Sequence, residues 1–410
     1  MNAKTDAECD VLIGGGGHVG LTLALALRRA APGLAVRLVD ATPPEAAARD
    51  GRASAIAAAG RRMLGQLGVW AAIEGSAQPI NEMVITDSRT GDRVRPVFLT
   101  FPGASEPGEP FAHMVMNGVM VEALRNAASA AGADIVAPDT IEDFTVTAEE
   151  VTARDGSGSR TKARLLVAAD GVRSRLRDLA GISTVKWDYG QAGIVATVAH
   201  ERPHGGRAEE HFLPGGPFAI LPLSGNRSSL VWTERADAAR GLVTADPATF
   251  QKELERRFGH RLGPLELVGK ARAFPLGLTL ARAFVKPRLA LAGDAAHGIH
   301  PIAGQGLNLG FRDVAALAEI VVEAHRLGLD IGSLAVLERY ERWRRFDSFE
   351  MGVVTDGLNR LFSNDNPAIR FVRDVGLGLV DRMPPLKRMF IREAAGEGGE
   401  LPRLLRGEAI

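Results

Sequence analysis

The chain has 410 residues, with 49 Lys plus Arg against 49 Asp plus Glu. That length favours two joined domains over one, and 46% hydrophobic with 24% charged residues is ample material for a full core. Zero formal charge leaves no global field to draw in nucleic acid or an anionic membrane, and the single cysteine, Cys9, excludes an intrachain disulfide and fits a reducing compartment.

The first ten residues are polar and include three acids, and the apolar stretch from Val11 to Leu27 is broken by glycines and lacks a cleavage site. No apolar run approaches the roughly 20 residues a spanning helix needs. A cytoplasmic location is expected, with peripheral contact to the inner membrane left open. Val11–Ile13 reads as a buried strand, with Cys9 before it. His18–Ala30 reads as a helix with Leu21, Ala24 and Leu25 on one face, and Val36–Val39 as a second strand, so the chain opens with a βαβ unit. Ser54–Leu67 reads as a helix, and Asn117–Ala131 as another that stops at Gly132. Leu165–Ala169 is a further buried strand.

From about Val185 the pattern changes. Gly193–His200, His211–Leu213, Phe218–Leu223 and Ser229–Thr233 read as strands between Gly, Pro and Asn turns, which predicts a mostly antiparallel sheet, followed by a helix over Pro247–Phe258. The βα pattern returns with a strand over Leu289–Ala292 and a long helix over Leu307–His325. From Leu334 the chain reads as helical, with breaks at Pro367 and Pro384–Pro385. The expected fold is therefore α/β: a Rossmann-like domain over 1–182 and 286–350, an inserted sheet domain over 183–285, to which some of the earlier residues can also belong, and a helical region over 351–410.

Three motifs carry the chemistry. The first is Gly15-x-Gly17-x-x-Gly20, between the first strand and the first helix, where glycines permit a tight turn and close approach of a pyrophosphate to the helix N-terminus. Asp40, at the end of the second strand, stands where an acid would hold a ribose hydroxyl. The second is Ala169-Asp170-Gly171-Val172-Arg173-Ser174-Arg175-Leu176-Arg177, which by itself reads as a turn with a basic helix start. The third runs Ala292-Gly293-Asp294-Ala295-Ala296-His297, Pro301, then Gly304-Gln305-Gly306-Leu307-Asn308-Leu309-Gly310. There an acid at a strand end can accept from a ribitol or ribose hydroxyl, and a glycine-rich helix start can hold negative charge.

In this order the motifs resemble those of the class A FAD-dependent monooxygenases, the para-hydroxybenzoate hydroxylase-like superfamily. Arg52-Ala53-Ser54-Ala55-Ile56, Gly310-Phe311-Arg312-Asp313 and Phe218-Ala219-Ile220-Leu221-Pro222-Leu223 make the chain most similar to the ubiquinone-biosynthesis hydroxylases within it. The resemblance spans essentially the whole chain. It implies one FAD, with Gly15, Gly17 and Gly20 at the pyrophosphate, Asp40 at the adenosine ribose, and Arg52 near the phosphates or ring edge. It also implies Asp170 near the pyrophosphate, in a motif that serves NAD(P)H as well, Asp294 at the ribityl chain, and Pro301, Gly304, Gln305, Gly306, Leu307 and Asn308 along the isoalloxazine. His18 stands where such hydroxylases commonly have proline.

The implied reaction is aromatic-ring hydroxylation: NAD(P)H reduces FAD, O2 adds at the flavin C4a, and the hydroperoxide passes oxygen to an electron-rich ring. The implied substrate is a polyprenylated phenol of ubiquinone biosynthesis. A small soluble aromatic, a flavin reductase or dehydrogenase that does not activate O2, and a non-catalytic flavin-holding subunit stand as alternatives. A protein electron donor also stays open. No His/Cys spacing suggests a metal, no nucleic-acid partner is expected, and no catalytic base is assigned; His297 reads as a buried structural histidine. Gly306 is expected to need positive φ or close approach to the flavin. Finally, Ile369, Val372, Val375, Leu379, Val380 and Met383 form an apolar stripe among Arg370, Arg373 and Arg382, with Lys387, Arg388 and Arg392 beyond. That segment either packs on the flavin domain or docks to a membrane or a biosynthetic complex beside the substrate entrance.

Overall fold

The structure, a computed structural model, describes residues 7–87, 97–102, 104–106, 109–299, 305–345, 347, 357 and 391–410. Strand β1 (Ala7–Gly14) runs through the core, with Val11, Leu12 and Ile13 fully buried. It leads through the glycine turn into helix α1 (His18–Ala30) and strand β2 (Val36–Val39). Both flanks of β1 pair in parallel, Val11 opposite Val36 on one side and opposite Leu165 on the other. This is the expected βαβ unit, and burial on both faces explains its unbroken apolar run.

Strand β3 (Ala53–Ala57) and helix α2 (Ala58–Gln66) divide the stretch expected to be one helix. Its first residues are extended because they pair antiparallel with a later strand, Ala55 opposite Met114. Alanine favours helix and is depleted in strands, so here the pairing partner overrides the local preference. Strands β4 (Glu82–Asp87) and β5 (Val97–Pro102) precede that partner, β6 (Ala112–Met116), and helix α3 (Asn117–Ala130). Strand β7 (Asp134–Val136) then joins β2 in parallel, a hairpin of β8 (Ile141–Val146) and β9 (Val151–Asp155) follows, and β10 (Arg160–Ala168) closes on β1.

The second sheet is built largely from β11 (Thr184–His200), β12 (Arg207–Leu213), β13 (Gly216–Leu223), β14 (Arg227–Arg235) and β15 (Leu265–Ala281). Helix α4 (Pro247–Phe258) lies between the last two in sequence. The strand order is β15-β11-β14-β13-β12-β4-β5, and only the β12–β4 pair is parallel. Alternation along these strands gives the sheet two unlike faces. On one face Ile194, Phe218, Leu230 and Trp232 pack beneath Phe250 and Leu254 of α4. The other face looks into a cavity.

The chain returns to the first sheet with β16 (Leu289–Leu291), which pairs in parallel with the last residues of β10, Leu166 opposite Leu289. Helix α5 (Gln305–Arg326) then covers the sheet through buried Phe311, Val314, Leu317 and Val321. A helix over 334–345 is present, as expected from Leu334. The apolar stripe from Ile369 to Met383, with Lys387 and Arg388, lies outside the described residues. Cys9 lies within β1, not before it, because pairing with β10 extends that strand to Ala7. Burial pushes its thiol up to about 12, so it stays protonated and unreactive. Among the described residues no helix is long and apolar enough to cross a membrane.

Candidate active site

A cavity of about 600 Å³ lies between the two sheets. One side is formed by Gly17 and His18 at the start of α1, by Arg52–Ala55, by Asp294, and by the first turn of α5. The other is the open face of the second sheet, including Val195, Ala208, Ala219, Val231 and Leu276.

The glycine motif is built as its spacing demands. Gly15 has φ of 111°, and a side chain there would strike the Ala169 backbone. A Cβ on Gly20 would strike the Gly15 carbonyl, so the helix starts hard against the turn. Gly17 meets nothing within 4 Å, lines the cavity, and is the N-cap of α1, whose free N–H groups and positive dipole end face that space. Asp40 is 6% exposed beside Gly16 and accepts a hydrogen bond from Arg125 at 3.1 Å. It does not line the cavity itself.

Asp294 projects into the cavity and is reachable from it, while protein encloses it on the remaining sides. That enclosure raises its carboxyl above the usual carboxylate range, against the pull of His297 and Arg52. Arg52 stands at the cavity wall, half exposed, clamped by Asp50 at 2.7 Å and lying over the Phe274 ring at 5.6 Å. Gln305, Gly306, Leu307 and Asn308 all line the cavity. The Asn308 amide is committed to backbone: it donates to Ala55 O and accepts from Ala57 N, both at 2.9 Å, and so pins α5 to β3. Gly306 lacks a positive φ, contrary to one half of the expectation, because it already lies within α5. A Cβ there would stand in open space, so the position can admit a close neighbour from the cavity. Pro301 and Gly304 lie outside the described residues.

The second motif serves local structure first. Asp170 accepts from the Ser174 hydroxyl and from the Leu176 amide at 3.1 Å, while Ser174 caps the following turn through the Arg177 amide at 3.0 Å. Asp170 is therefore turned away from the cavity, which its neighbours Ala169 and Gly171 line. Arg177, 1% exposed, reaches across to the Ala295 carbonyl at 3.1 Å and ties the second motif to the third.

His297 is a buried structural histidine. It bonds Asp313 at 2.5 Å, and Asp313 also accepts from Gly293 N at 2.8 Å and from Arg344 at 2.9 Å, all in a fully buried knot. Burial acts to raise the Asp313 carboxyl, but His297 and Arg344 hold it below its ordinary value. The knot fixes the turn that presents Asp294. His18 also lines the cavity; burial lowers its ring to about 4, so it is neutral near pH 7.

Sequence reasoning missed Glu210. It lines the cavity from β12, is 5% exposed, and has no hydrogen-bond or ion-pair partner among the described residues. Burial alone raises its carboxyl to about 7. The preceding residue fares oppositely. Glu209 faces the other side of the sheet, where Arg261 at 2.5 Å, Arg207 at 3.2 Å and His211 at 3.3 Å surround it. Burial opposes them, yet these groups hold Glu209 down to about 2. The available signal was the pair of adjacent acids in a strand, since successive side chains must face opposite ways.

A family model described as FAD binding domain matches residues 8–346. The chain is 48% identical to ubiquinone hydroxylase UbiL of Rhodospirillum rubrum, over 99% of this chain and 95% of that protein. It is 36% identical to 3-demethoxyubiquinol 3-hydroxylase of Escherichia coli, over 96% of this chain and 100% of that protein. Among solved structures, p-nitrophenol 4-monooxygenase PnpA of Pseudomonas putida matches with a TM-score of 0.81 over 97% of this chain and 100% of that one. At 20% identity that last match is a likeness of fold.

Proposed function

The chain belongs to the FAD-dependent monooxygenases, in the family of the ubiquinone-biosynthesis hydroxylases, and we propose that it hydroxylates the ring of a polyprenylated phenol in that pathway. The observation that carries the reading is the two-sided cavity. One side presents the flavin motifs, and the other is a mostly apolar sheet face, with Val195, Ala208, Ala219, Val231 and Leu276 around Glu210.

The residues present fit FAD. The α1 N-terminus at Gly17 suits the pyrophosphate, and Asp40 beside the same turn suits the adenosine ribose. Asp294 supplies the acceptor for a ribityl hydroxyl, and the start of α5 from Gln305 to Asn308, with Pro301 and Gly304, borders the ring. Gly15 and Gly20 shape the turn, and Asp170 supports the site by holding the second motif in place. Arg52, held by Asp50, lies near the phosphates or the ring edge. FAD, when bound, supplies the redox chemistry that activates O2 with electrons from NAD(P)H. The protein's part is to hold an aromatic ring against that cofactor and keep water away, which the apolar sheet face suits.

In this reading residues 1–182 and 286–350 hold the cofactor, and the sheet of 183–285 covers the substrate with help from β4. A lipid-tailed substrate further implies peripheral contact with the inner membrane or with a biosynthetic complex, for which the segment after Ile369 is the candidate. The test is oxygen consumption by the FAD-loaded protein with NAD(P)H and a short-chain prenylphenol, together with the metabolite that accumulates when the gene is deleted. Stoichiometric ring hydroxylation and an accumulated quinone precursor are expected. Turnover confined to a small soluble aromatic, with quinone synthesis intact, would overturn the reading.

A further inference from the structure

Glu210 is chemically out of place in the wall it occupies. Its neighbours on that face are Ala208 on its own strand, Ala219 opposite it on β13, and Ile85 opposite it on β4. None offers a side-chain donor. The charged groups on the packed strands are engaged elsewhere or lie off its position: Glu82 and Arg207 pair with each other at 3.8 Å, and Asp87 stands opposite Phe212, two residues further along. Strand β13 carries no charge at all. Across the cavity stand Asp294, His18 and Arg52. A carboxyl buried without a partner destabilises a fold, and a purely structural acid is paired, as Glu209 is. Glu210 opens instead onto the space where an aromatic ring would lie.

We propose that Glu210 is the catalytic residue that accepts the proton of the substrate's ring hydroxyl. The inference rests on the phenol hydroxylation proposed above and supplies the base which that reading left unassigned. The balance is simple. As oxygen derived from O2 bonds to a ring carbon, the hydroxyl proton passes to a Glu210 oxygen, and the ring C–O bond becomes a carbonyl. On return to aromaticity, the ring carbon releases its hydrogen as a proton to water, and Glu210 hands its proton back to the carbonyl oxygen. NAD(P)H supplies the two electrons and O2 the oxygen atom, the O–O bond breaks with the second oxygen leaving as water, and Glu210 ends as it began. Its carboxyl, lifted to about 7 by burial, is matched to proton transfer near neutral pH.

The experiment compares the FAD-loaded parent with Glu210→Gln, using 2-prenylphenol as probe. Flavin content reports whether the variant folds, and full occupancy is expected. Binding of the probe, read from flavin absorbance, should be about ten-fold weaker near pH 6 than near pH 8 in the parent, because the neutral phenol needs an ionised acceptor. In the variant it should be flat with pH. Hydroxylated product per NAD(P)H should fall by about 100-fold, the scale of a lost general base, with hydrogen peroxide in its place. Parental coupling and a parental pH profile in Glu210→Gln would overturn the proposal, as would equal binding of the probe by both proteins at every pH. Binding that depends on pH through Glu210 without any hydroxylation by the parent would support the site and refute the phenol hydroxylase reading.

Discussion

Replacing Glu210 by glutamine should make the protein more stable relative to its parent in alkaline than in acid conditions. The unfolded chain ionises this carboxyl near 4.5, and the folded one near 7. Because the folded pKa is raised, the carboxyl carries no penalty below the unfolded value. The penalty grows as pH rises from 4.5 towards 7 and is complete above the folded value. A ten-fold change in an ionisation equilibrium is worth about 1.4 kcal/mol, so the parent loses roughly 2–3 kcal/mol between about pH 5 and pH 8 that the glutamine variant does not. The glutamine side chain has its own buried amide to satisfy, but that cost does not change with pH. The measurement is therefore the difference in urea midpoint or Tm between variant and parent at both pH values, each at saturating FAD. The difference should grow by several degrees towards pH 8. A difference that stays constant, or shrinks as pH rises, would show that the carboxyl is paired or hydrated, and the isolation argument would fail.

Asp294→Ala removes an enclosed acceptor from the cavity, so FAD should bind about ten-fold or more weakly while the apoprotein keeps its fold; equal FAD affinity by titration would detach Asp294 from the cofactor. Gly306→Val places its side chain in open cavity space, so Tm without FAD should stay close to the parent's while flavin reduction and oxygen transfer drop, and a fully active variant would separate this turn from the cofactor. Asp313→Ala strands the buried Arg344 guanidinium and unlocks His297, at a cost of about 3–5 kcal/mol in urea unfolding. A loss under about 1 kcal/mol would show water reaching the knot.

The parallel core of the first sheet, β1, β2, β10 and β16, was legible because its signals are local, whereas β7, β8 and β9 of the same sheet were not read. Val36–Val39 is four residues of strand flanked by turns, and Pro247–Phe258 is bounded by an Asp246 cap and Gly259, so both elements begin and end where their residues say. Ala53–Ala57 carried no such signal, and it became a strand only because β6 lies beside it. Strand β4 was also missed: it pairs locally with β5, and its place in the second sheet depends on β12, which lies more than a hundred residues later. The glycine turn could be read because only glycine survives at Gly15 and Gly20, whereas Asp170 could not, since whether it faces a ligand or caps its own turn depends on the Ser174 and Leu176 contacts.

The site's chemistry hinges on a distinction that composition cannot make. Glu209 and Glu210 are the same residue type, adjacent on one strand, and both are almost fully buried. Period-two alternation sends one towards Arg261, Arg207 and His211 and the other into the cavity, and their carboxyls part from about 2 to about 7. A slip of one residue in the β12 register would exchange them, turning Glu209, with Arg207 and His211 of the same strand, towards the cavity and Glu210 towards Arg261. The register is held against that slip from both sides, by Phe212 opposite Pro217 on β13 and by Ala208 opposite Met83 on β4. The reactive character of Glu210 is thus a property of strand pairing, made by the inserted sheet and delivered to a cavity whose other wall the flavin motifs provide.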